Sequence, residues 1–529
     1  MKKIVSGIML TLTLVSMLTL AFSIQLARAE PKTIYVDDDN IAGPWDGTQE
    51  HPFQNMISGL EHASTSDTIF VYNGTYYEHL VVDKTVSLVG ENRSTTIVDG
   101  SGTGTVIILC TNNVRMDGFT VQNGYYGIYL NSSKGTITRN TIKNNFFGIY
   151  LSHSNDNNLS EDIIENNYYG IYSWGSSNNT ISKNILYDNG HGIDLWEDSS
   201  NIIIKNVAKN NGAYGIYAYH SHMNIISENT FNNSWYGISL DRSNGNKVIS
   251  NVVANNADGI FVYDSRNNIV RRNMIVDNRI WLNGRGVLIG GYLTSEHYYN
   301  NTICGNTIRN NRFGIQLYQY ADHNWICHNN FIDNQIQADI DEFTSNNIWD
   351  NGYPSGGNYW SDYNGMDLYL GPYQNETGSD GIGDTAYVVD AYNVDHYPFM
   401  NPYVAPTYAL IITTTSGGTT NPAPRTYSYE VNSSIQVTAI PNANYLFDHW
   451  ELDSINVGSA NPYTVLMDKD HTFKAVFSPI PPPPKPVGGY SFLIEGYTTA
   501  KPLTPYLALI AILAMGFTTI RRKAMRKTK

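Results

Sequence analysis

The chain has 529 residues, of which 33 are Lys or Arg and 47 are Asp or Glu, for a net charge of −14. This acidic balance excludes a general nucleic-acid partner, because affinity for phosphates depends mainly on Lys and Arg. Only three cysteines are present (Cys110, Cys304 and Cys327), which excludes a disulfide-built scaffold and a zinc site of the four-cysteine type. Stability must therefore come from a large core.

The N-terminal segment 1–29 is typical of a secretory signal peptide. Lys2 and Lys3 form a positive start, an apolar stretch follows, and Ala27-Arg28-Ala29 supplies a small-x-small cleavage site. An uncleaved N-terminal anchor is the alternative interpretation. Either one predicts export, and sequons such as Asn73-Gly-Thr75 then predict a glycoprotein.

A helical cap is predicted at the start of the exported body, within residues 31–66. Four apolar residues between Pro52 and Ala63 fall on one helical face, a spacing suited to covering the first coil of a solenoid: Phe53, Met56, Ile57 and Leu60. A solenoid needs such a cap because its terminal coil otherwise exposes apolar side chains and a strand edge.

The middle of the chain is a repeat with a step of about 22 residues. A Gly-Ile-x-Leu-like segment recurs at Gly127, Gly148, Gly170, Gly192, Gly215, Gly237, Gly259, Gly286 and Gly314. Each unit holds three short stretches of alternating apolar and polar residues, and this alternation predicts strands. Three strands per turn, stacked at about 4.8 Å, predict a parallel β-helix with regular coils over about 67–350 and a closing segment over 351–403.

Two polar columns keep the same step. The first is Asn140, Asp162, Asn184, Asn206, Asn229, Asn251 and Asn273. We expect each Asn to lie at a coil corner and to bond its equivalents above and below, since Asn also tolerates left-handed backbone angles. A Ser column should do similar work: Ser133, Ser154, Ser176, Ser199, Ser221, Ser243 and Ser265.

Three N-terminal segments followed by the Asn-anchored repeats resemble the NosD-like family of right-handed β-helix proteins: Thr33–Asp39, Gly43–Gly47 and Asn73–Glu78. The resemblance covers about residues 33–403. It implies a right-handed all-β solenoid in an exported protein of a family grouped with carbohydrate-binding proteins and sugar hydrolases. Some members are linked to copper delivery. Gly357–Tyr363, Asp380–Asp384 and His396-Tyr-Pro also resemble the closing segment of archaeal surface members.

The C-terminal part is predicted to contain a small β domain and a membrane anchor. Residues 404–478 resemble the divergent InlB-type repeat, through Leu410–Thr415, Gly417–Pro422 and Phe447–Trp450. A Pro-rich linker (479–502), an apolar stretch of about 18 residues (503–520) and a basic tail (521–529) follow. This order predicts one transmembrane helix with a cytoplasmic tail and the body outside the cell.

Aromatic residues recur at the outward positions of the Gly-Ile-x-Leu strand. Such rings suit the C–H face of a sugar, and the sequence therefore predicts a strip that binds a polysaccharide or another glycan. The strip comprises Tyr150, Tyr172, Trp174, Trp196, Tyr217, Tyr219 and Tyr263. The alternative is that Tyr, which favours strands, only pads the exterior.

Catalysis is left open by the sequence. Asp194 and Asp241 lie two coils apart, about 9–10 Å by strand spacing, near the upper limit for the two carboxylates of an inverting glycosidase. A polysaccharide hydrolase, lyase or epimerase is thus the alternative to a binding protein. The nearby candidates are Asp198, Asp258, Asp264, Arg242 and His191.

Two metal hypotheses remain at this stage. His220, His222 and Met223 offer two imidazoles and a soft sulfur that suit copper. Asp380 and Asp384, with other acids of the closing segment, could bind calcium. In each case, ordinary surface or turn residues are the alternative. Cys304 and Cys327, 23 residues apart, should stack on adjacent coils and point outward, where a disulfide is conceivable.

Overall fold

The computed structural model describes residues 30–279, 284–291, 300–344 and 346–481. The predicted signal peptide, most of the Pro-rich linker, the predicted transmembrane stretch and the basic tail lie outside the described residues. Within the described ranges, no helix is long and apolar enough to span a bilayer. The chain divides into two compact units between Ala405 and Pro406.

The first unit is a parallel β-helix, as predicted. Its coils run through three sheets in the order I, III, II, and equivalent strands of successive coils pair in parallel. Among the described residues, sheet I has 13 strands: Thr33–Val36, Thr68–Val71, Ser87–Gly90, Arg115–Asp117, Thr136–Thr138, Asn158–Ser160, Thr180–Ser182, Ile202–Ile204, Ile225–Ser227, Lys247–Ile249, Ile269–Arg271, Thr302–Cys304 and Trp325–Cys327.

Sheets II and III complete each turn within the described part of the chain. The 12 strands of sheet II are Leu80–Val82, Thr105–Leu109, Tyr126–Leu130, Phe147–Ser152, Tyr169–Trp174, His191–Trp196, Tyr214–Tyr219, Tyr236–Asp241, Asp258–Tyr263, Arg285–Gly290, Phe313–Leu317 and Ile336–Ile340. The 13 strands of sheet III are Gly74–Tyr76, Thr96–Asp99, Thr120–Gln122, Thr141–Lys143, Ile163–Glu165, Ile185–Tyr187, Val207–Lys209, Thr230–Asn232, Val252–Ala254, Met274–Val276, Thr307–Arg309, Asn330–Ile332 and Tyr359–Trp360.

The core is a set of aliphatic stacks inside the three sheets. Residues in the second position of the Gly-Ile-x-Leu strand pair in register and are fully buried, for example Ile149, Ile171 and Ile193. Because each apolar side chain rests on its equivalents one coil away, the period of the sequence becomes a continuous hydrophobic column.

Buried amide ladders join the coils at their corners. In the predicted column, the Asn206 side chain accepts from the Asn184 backbone N–H (2.9 Å) and donates to the Ile181 carbonyl (2.8 Å). Two further Asn ladders were missed by the sequence reading. One contains Asn145, Asn167 and Asn189, and the other contains Asn157, Asn179 and Asn201. The ladders satisfy corner backbone groups that have no strand partner.

The Asn residues of the first column do not use the left-handed backbone that Asn tolerates. That backbone falls on the residue before each ladder position, such as Lys183 (φ 56°) and Lys205 (φ 58°). The Ser ladder contains Ser132 and Asp198 instead of Ser133 and Ser199: Ser132 N–H donates to Ser154, and Ser176 N–H donates to the Asp198 carboxylate (2.7 Å).

A seven-residue helix, Met56–His62, lies between the first two strands of sheet I. Asn55 caps it by accepting from the Ser58 N–H (2.8 Å), and Met56 and Leu60 join the core cluster. Ile57 is 43% exposed, so its predicted place on the buried face is wrong. The role of the helix as a cap, like the handedness of the coils, stays a prediction.

The closing segment and the second unit have their own strands. Two short antiparallel pairs occupy the closing segment: Tyr369–Leu370 with Glu376–Thr377, and Tyr387–Val388 with Val394–Asp395. The second unit is a small β domain with Trp450 and Phe473 stacked in its core (4.4 Å). Its strands are Thr407–Thr414, Gly418–Asn421, Thr426–Glu430, Ser434–Pro441, Tyr445–Leu452, Ile455–Gly458, Tyr463–Leu466 and His471–Pro479.

Replacing Asn206 by Ala should lower the free energy of unfolding by about 3 kcal/mol. The substitution leaves the Asn184 N–H buried without a partner, which costs about 1–3 kcal/mol, and it also removes the bond from the Asn206 amide to the Ile181 carbonyl. Chemical denaturation of the full chain measures the loss. Asn158→Ala is the control, because that side chain makes only a 3.5 Å contact with Ser160 Oγ. Equal losses in the two variants would contradict a ladder role.

Asp162 should make the β-helix less stable as the pH rises. It replaces Asn in a ladder, its Oδ2 is buried without a hydrogen-bond partner, and burial raises its pKa from 3.8 to about 7. The folded state therefore binds the proton more tightly than the unfolded chain. This contribution is fully present below pH 4 and is lost between about pH 4 and 7.

Asp162→Asn should remove this pH dependence and stabilise the protein at pH 8 by roughly 2–4 kcal/mol. Unfolding midpoints at pH 4 and pH 8 measure the effect. Asp156→Asn is the matched control, since Asp156 is exposed and has the left-handed backbone (φ 59°) that Asn tolerates. If the parent chain loses no more stability between pH 4 and pH 8 than Asp162→Asn does, the raised pKa of Asp162 is refuted.

Candidate functional site

The outer side of sheet II carries stacked aromatic side chains, and we call it the aromatic face. The strand pairing places Tyr150, Tyr172 and Asp194 in one column, and Trp174, Trp196 and Tyr219 in the neighbouring column. The predicted register is therefore confirmed. Both Trp side chains lie outside the aliphatic core; Trp174 is 39% exposed and Trp196 is half-buried.

Most rings of the aromatic face stack on each other along the solenoid. Tyr129 and Tyr150 have ring centroids 5.4 Å apart at 14° between planes, and Tyr150 and Tyr172 are 5.3 Å apart at 5°. Their flat faces therefore cover one another. Trp174 differs, since it contacts His153 edge-to-face at 4.7 Å.

Two more aromatic columns precede the repeating glycine and were missed by the sequence reading. Tyr126, Phe147 and Tyr169 stack at about 5 Å, as do Tyr125, Phe146 and Tyr168. Strict alternation along the strand would turn Tyr126 inward. The glycine breaks the pleat: a Cβ on Gly127 would lie 2.6 Å from the Gly148 carbonyl oxygen. The aromatic pairs before Gly127, Gly148 and Gly170 were the available signal.

The column of tyrosines is interrupted at Asp194. This carboxyl group is 1% exposed and lies 3.1 Å from Nδ1 of His191. Burial raises the pKa of Asp194, and the His191 contact opposes the rise. The register places Tyr172 on one side and Tyr217 on the other. A buried acid–imidazole pair thus replaces a ring inside the aromatic face.

A second polar group lies around Asp241. The Tyr217 hydroxyl donates to Asp241 Oδ2 (3.2 Å), and Arg242 donates to the Tyr219 hydroxyl (2.9 Å). Burial raises the pKa of Asp241, against the effects of Tyr217 and Arg242. The pKa of Tyr217 is raised by burial first, then by Asp241, with Asp194 also contributing. Tyr217 therefore lies in the field of both predicted carboxylates.

The structure brings together only some of the predicted strip. Trp196 contacts Tyr217 (5.9 Å) and Tyr219 (4.7 Å), beside the two carboxylates. The Trp196 indole N–H is buried without a hydrogen-bond partner. Tyr150 lies two coils from Trp196 along the stack, and Tyr263 stacks on Phe261 (5.2 Å).

The other acids once considered near the site have structural partners. Asp198 belongs to the Ser ladder, where its Oδ2 has no hydrogen-bond partner and burial raises its pKa to about 7. Asp258 pairs with Arg285 (3.4 Å), and Asp264 lies 3.7 Å from Arg242. Asp198 and Asp258 thus have structural contacts within the solenoid. Asp264, in contrast, is linked through Arg242 to the polar group at Asp241.

The predicted copper ligands lie at the end of a sheet II strand. His222 Nδ1 accepts from the Asn244 N–H (3.0 Å), which leaves the ring proton of the neutral form on Nε2. Burial lowers the pKa of His222, and His220 lowers it further. Met223 is 62% exposed. This neutral tautomer does not present a free nitrogen, and copper binding here stays a prediction.

The predicted calcium ligands are already hydrogen-bonded within the closing segment. Asp384 accepts from the backbone N–H groups of Leu368 (2.9 Å) and Tyr369 (3.0 Å). Asp380 accepts from the Ile382 N–H (3.0 Å) and the Gln374 amide (3.2 Å). These bonds stabilise the turns, and calcium binding stays a prediction.

A different set of possible ligands emerges from the structure. Among the described residues, one group of three His, Cys or acidic side chains brings its ligand atoms within 4.8 Å of one another: Cys304, Cys327 and His328. The predicted stacking of the cysteines is confirmed. Their predicted outward position is wrong for Cys327, which is 2% exposed. His328 was missed although it directly follows Cys327, and that adjacency in the sequence was the available signal.

An indentation of about 570 Å³ lies away from the aromatic face, at a corner between sheets I and III. Its lining includes Gly90, Arg93 and Glu161, together with Asp117 and Arg139, which form an ion pair. The pair neutralises much of the lining, and the aromatic face remains the better candidate because it combines exposed rings with buried polar groups.

Family comparisons match both units of the chain. The family model described as periplasmic copper-binding protein (NosD) matches residues 60–233, 148–301 and 201–365, and the divergent InlB B-repeat domain matches 408–481. A probable ABC transporter binding protein NosD from Stutzerimonas stutzeri is 32% identical over 126 residues, which are 23% of this chain and 26% of that protein. The chain thus matches about a quarter of this relative's length.

Solved structures with a similar fold are distant in sequence. The A-module of the mannuronan C-5 epimerase AlgE6 from Azotobacter vinelandii has a TM-score of 0.47 at 15% identity, covering 59% of this chain and 97% of that one. The Dettilon tailspike protein gives 0.48 at 15%, covering 79% and 85%. The PL6 family alginate lyase AlyGC gives 0.41 at 15%, covering 73% and 61%.

Proposed function

The chain belongs to the NosD family and, from that premise, we propose that it is an exported β-helix protein whose aromatic face binds carbohydrate. The observation that carries the proposal is the interruption of the ring columns by Asp194 and Asp241. At this point, carboxylate, guanidinium and hydroxyl groups lie among Trp and Tyr rings.

Carbohydrate is the ligand class that this combination favours. A sugar ring offers hydroxyl groups to charged hydrogen-bond partners and a C–H face to an aromatic ring. The polar group provides Asp241, Arg242 and two tyrosine hydroxyls. Trp174 provides a large exposed ring that is not part of the stacked columns. Where rings stack face to face, their faces are covered, so we place the ligand along the column that runs from Trp174 over Trp196 to Tyr219.

The location of the protein is part of the proposal. A cleaved signal at 1–29 and an anchor at 503–520 would hold the body on the outer side of a membrane, with the basic tail in the cytoplasm. The sequence pattern supports this arrangement. Protease treatment of intact cells should remove the body, and a body protected until lysis would refute it.

An enzyme is the second candidate, and the Asp194–His191 pair favours it. A buried carboxyl group with a raised pKa, an imidazole at 3.1 Å and a nearby tyrosine are groups that can transfer protons. A hydrolase, lyase or epimerase acting on a polysaccharide would use the same face. Turnover would generate reducing ends, unsaturated products or inverted sugar units, whereas a binding protein generates none of them.

Trp174→Ala should weaken glycan binding at least tenfold, because it removes the exposed ring of the column that continues through Trp196 to Tyr219. Binding of the full chain to a polysaccharide panel, measured by retention on immobilised glycans, tests this. Trp325→Ala is the matched control, since Trp325 is 40% exposed but lies on sheet I. Equal retention by Trp174→Ala and the parent chain would refute the proposed binding site.

Tyr219→Phe should also weaken binding, by a smaller factor of about five, because it removes the hydroxyl that Arg242 holds while keeping the ring. The same panel, assayed for new reducing ends, unsaturated products and inverted sugar units, separates binding from turnover. Product formation that is lost in Asp194→Asn would favour the enzyme and contradict a purely binding role.

A further inference from the structure

Two cysteines lie on adjacent coils near the C-terminal end of the solenoid. Cys304 and Cys327 end the last two sheet I strands that the structure describes, and these strands pair in register. The two sulfur atoms are 3.5 Å apart. Neighbouring strands lie about 4.8 Å apart, inside the range of roughly 4.4–6.8 Å over which a disulfide joins two Cα atoms. The two thiols are therefore close enough to form a disulfide.

The two sulfurs differ in their access to solvent. Cys304 is half-buried at an outward position of its strand, whereas Cys327 is 2% exposed. A reagent from solvent can therefore reach Cys304 first, and Cys327 then adjoins the sulfur that has reacted. Thiol–disulfide exchange requires this arrangement of an accessible attacking thiol and a neighbouring thiol that resolves the intermediate.

A histidine adjoins the pair in a fixed orientation. His328 follows Cys327 directly, and one of its ring nitrogens and both sulfurs lie within 4.8 Å of one another. His328 Nε2 is 2.9 Å from the Ser355 carbonyl oxygen, which can only accept, so Nε2 carries the ring proton. The ring also stacks on Tyr403 at 4.4 Å and 11°. The neutral imidazole therefore has an unprotonated Nδ1 that can accept a proton from a thiol.

The neighbours of Cys304 favour its thiolate form, which is the form that attacks a disulfide. The hydrogen bond from Cys327 lowers the pKa of Cys304 most, burial opposes this, and His328 and Arg271 lower the pKa further. The contact with Cys304 and burial raise the pKa of Cys327. The accessible sulfur is thus the one that ionises first, and the buried sulfur keeps its proton until the second step.

We propose that Cys304 and Cys327 form a dithiol site for thiol–disulfide exchange, with a low-molecular-weight disulfide as the oxidant. In the first step, the Cys304 thiolate attacks one sulfur of the small disulfide and forms a mixed disulfide. The sulfur–sulfur bond of the oxidant breaks, and one small thiolate leaves and takes a proton from solvent.

In the second step, Cys327 gives its proton to His328 and attacks the Cys304 sulfur. The mixed disulfide breaks, and the second small thiolate leaves with the proton that His328 held. Two electrons have then passed from the two cysteines to the small disulfide, and a Cys304–Cys327 disulfide remains. The site lies on sheet I, apart from the aromatic face, and does not depend on carbohydrate binding.

An aromatic disulfide that releases a coloured thiolate tests the proposal on the reduced full chain, with a metal chelator present. The chain carries Cys110→Ser, which removes the exposed free thiol. We expect the release of two coloured thiolates per chain and, by mass spectrometry, a protein that retains neither. Release of no thiolate, or a protein that retains two adducts, would overturn the proposal.

Single replacements of the two cysteines, made in the same Cys110→Ser chain, separate the two steps. Cys327→Ser should release one thiolate and keep the other as a mixed disulfide on Cys304, because the resolving thiol is absent. Cys304→Ser should react at least a hundredfold more slowly, because only the buried thiol remains. A Cys304→Ser chain that reacts as fast as Cys327→Ser would contradict the assigned order of attack.

His328→Asn tests the proton acceptor, because Asn tolerates the left-handed backbone of this residue (φ 57°). It should slow the second release about tenfold relative to the first, so that the mixed disulfide accumulates. His222→Ala is the control and should change neither rate. An unchanged ratio of the two rates in His328→Asn would remove His328 from the mechanism, with thermal unfolding confirming that each variant is folded.

A permanent structural disulfide is the competing state. In the folded chain, dithiothreitol should convert the oxidised pair to two free thiols, and the small disulfide should oxidise it again. A pair that stays oxidised in millimolar dithiothreitol while the chain is folded would overturn the proposal. Glycan retention by Cys304→Ser should equal that of the parent chain, so a failure of this site is distinguishable from a failure of the aromatic face.

Discussion

The hydrogen-bonded register between successive coils is the constraint on which the rest of this structure depends. A coil contacts only its neighbours, so each polar group at a corner must find its partner one coil above or below. Asn side chains meet this requirement because one amide both accepts and donates. Asn206 serves the coil of Asn184 with its oxygen and reaches the Ile181 carbonyl with its nitrogen. The aliphatic columns add stability, whereas the ladders set the register between coils.

The same register organises the outer surface. Stacked rings such as Tyr150 and Tyr172 bury each other's faces, and a regular column therefore offers little to a ligand. Chemical variety enters where a residue departs from the repeat. Asp194 and Asp241 replace aromatic residues on the outer side of sheet II and form the polar groups of the aromatic face. Asp162 replaces Asn inside a ladder, and its buried carboxyl group lowers the stability of the fold at neutral pH.

Periodicity explains which features could be predicted from the sequence. The strands, their register and the outward columns follow from the 22-residue step, because identical coils impose identical environments. The two aromatic columns that precede the repeating glycine do not follow from alternation, since Gly127 breaks the pleat through its contact with the next coil. The placement of Asp198 in the Ser ladder required the corner geometry. His328 follows Cys327 in the sequence, but its ring contacts Ser355 and Tyr403 of the non-periodic closing segment, and the repeat contains no information about these contacts.

One irregularity of the ladders has a wider consequence. The bond from Asn268 to Asn301 and that from Asn273 to Asn306 connect residues 33 positions apart, where earlier coils use 22 or 23, and yet both bonds keep a length of 2.9 Å. The longer coil therefore keeps the same ladder hydrogen bonds to its neighbours as the shorter coils do. A solenoid of this kind can gain inserted residues in one coil, during evolution or by design, while the register between its coils is kept.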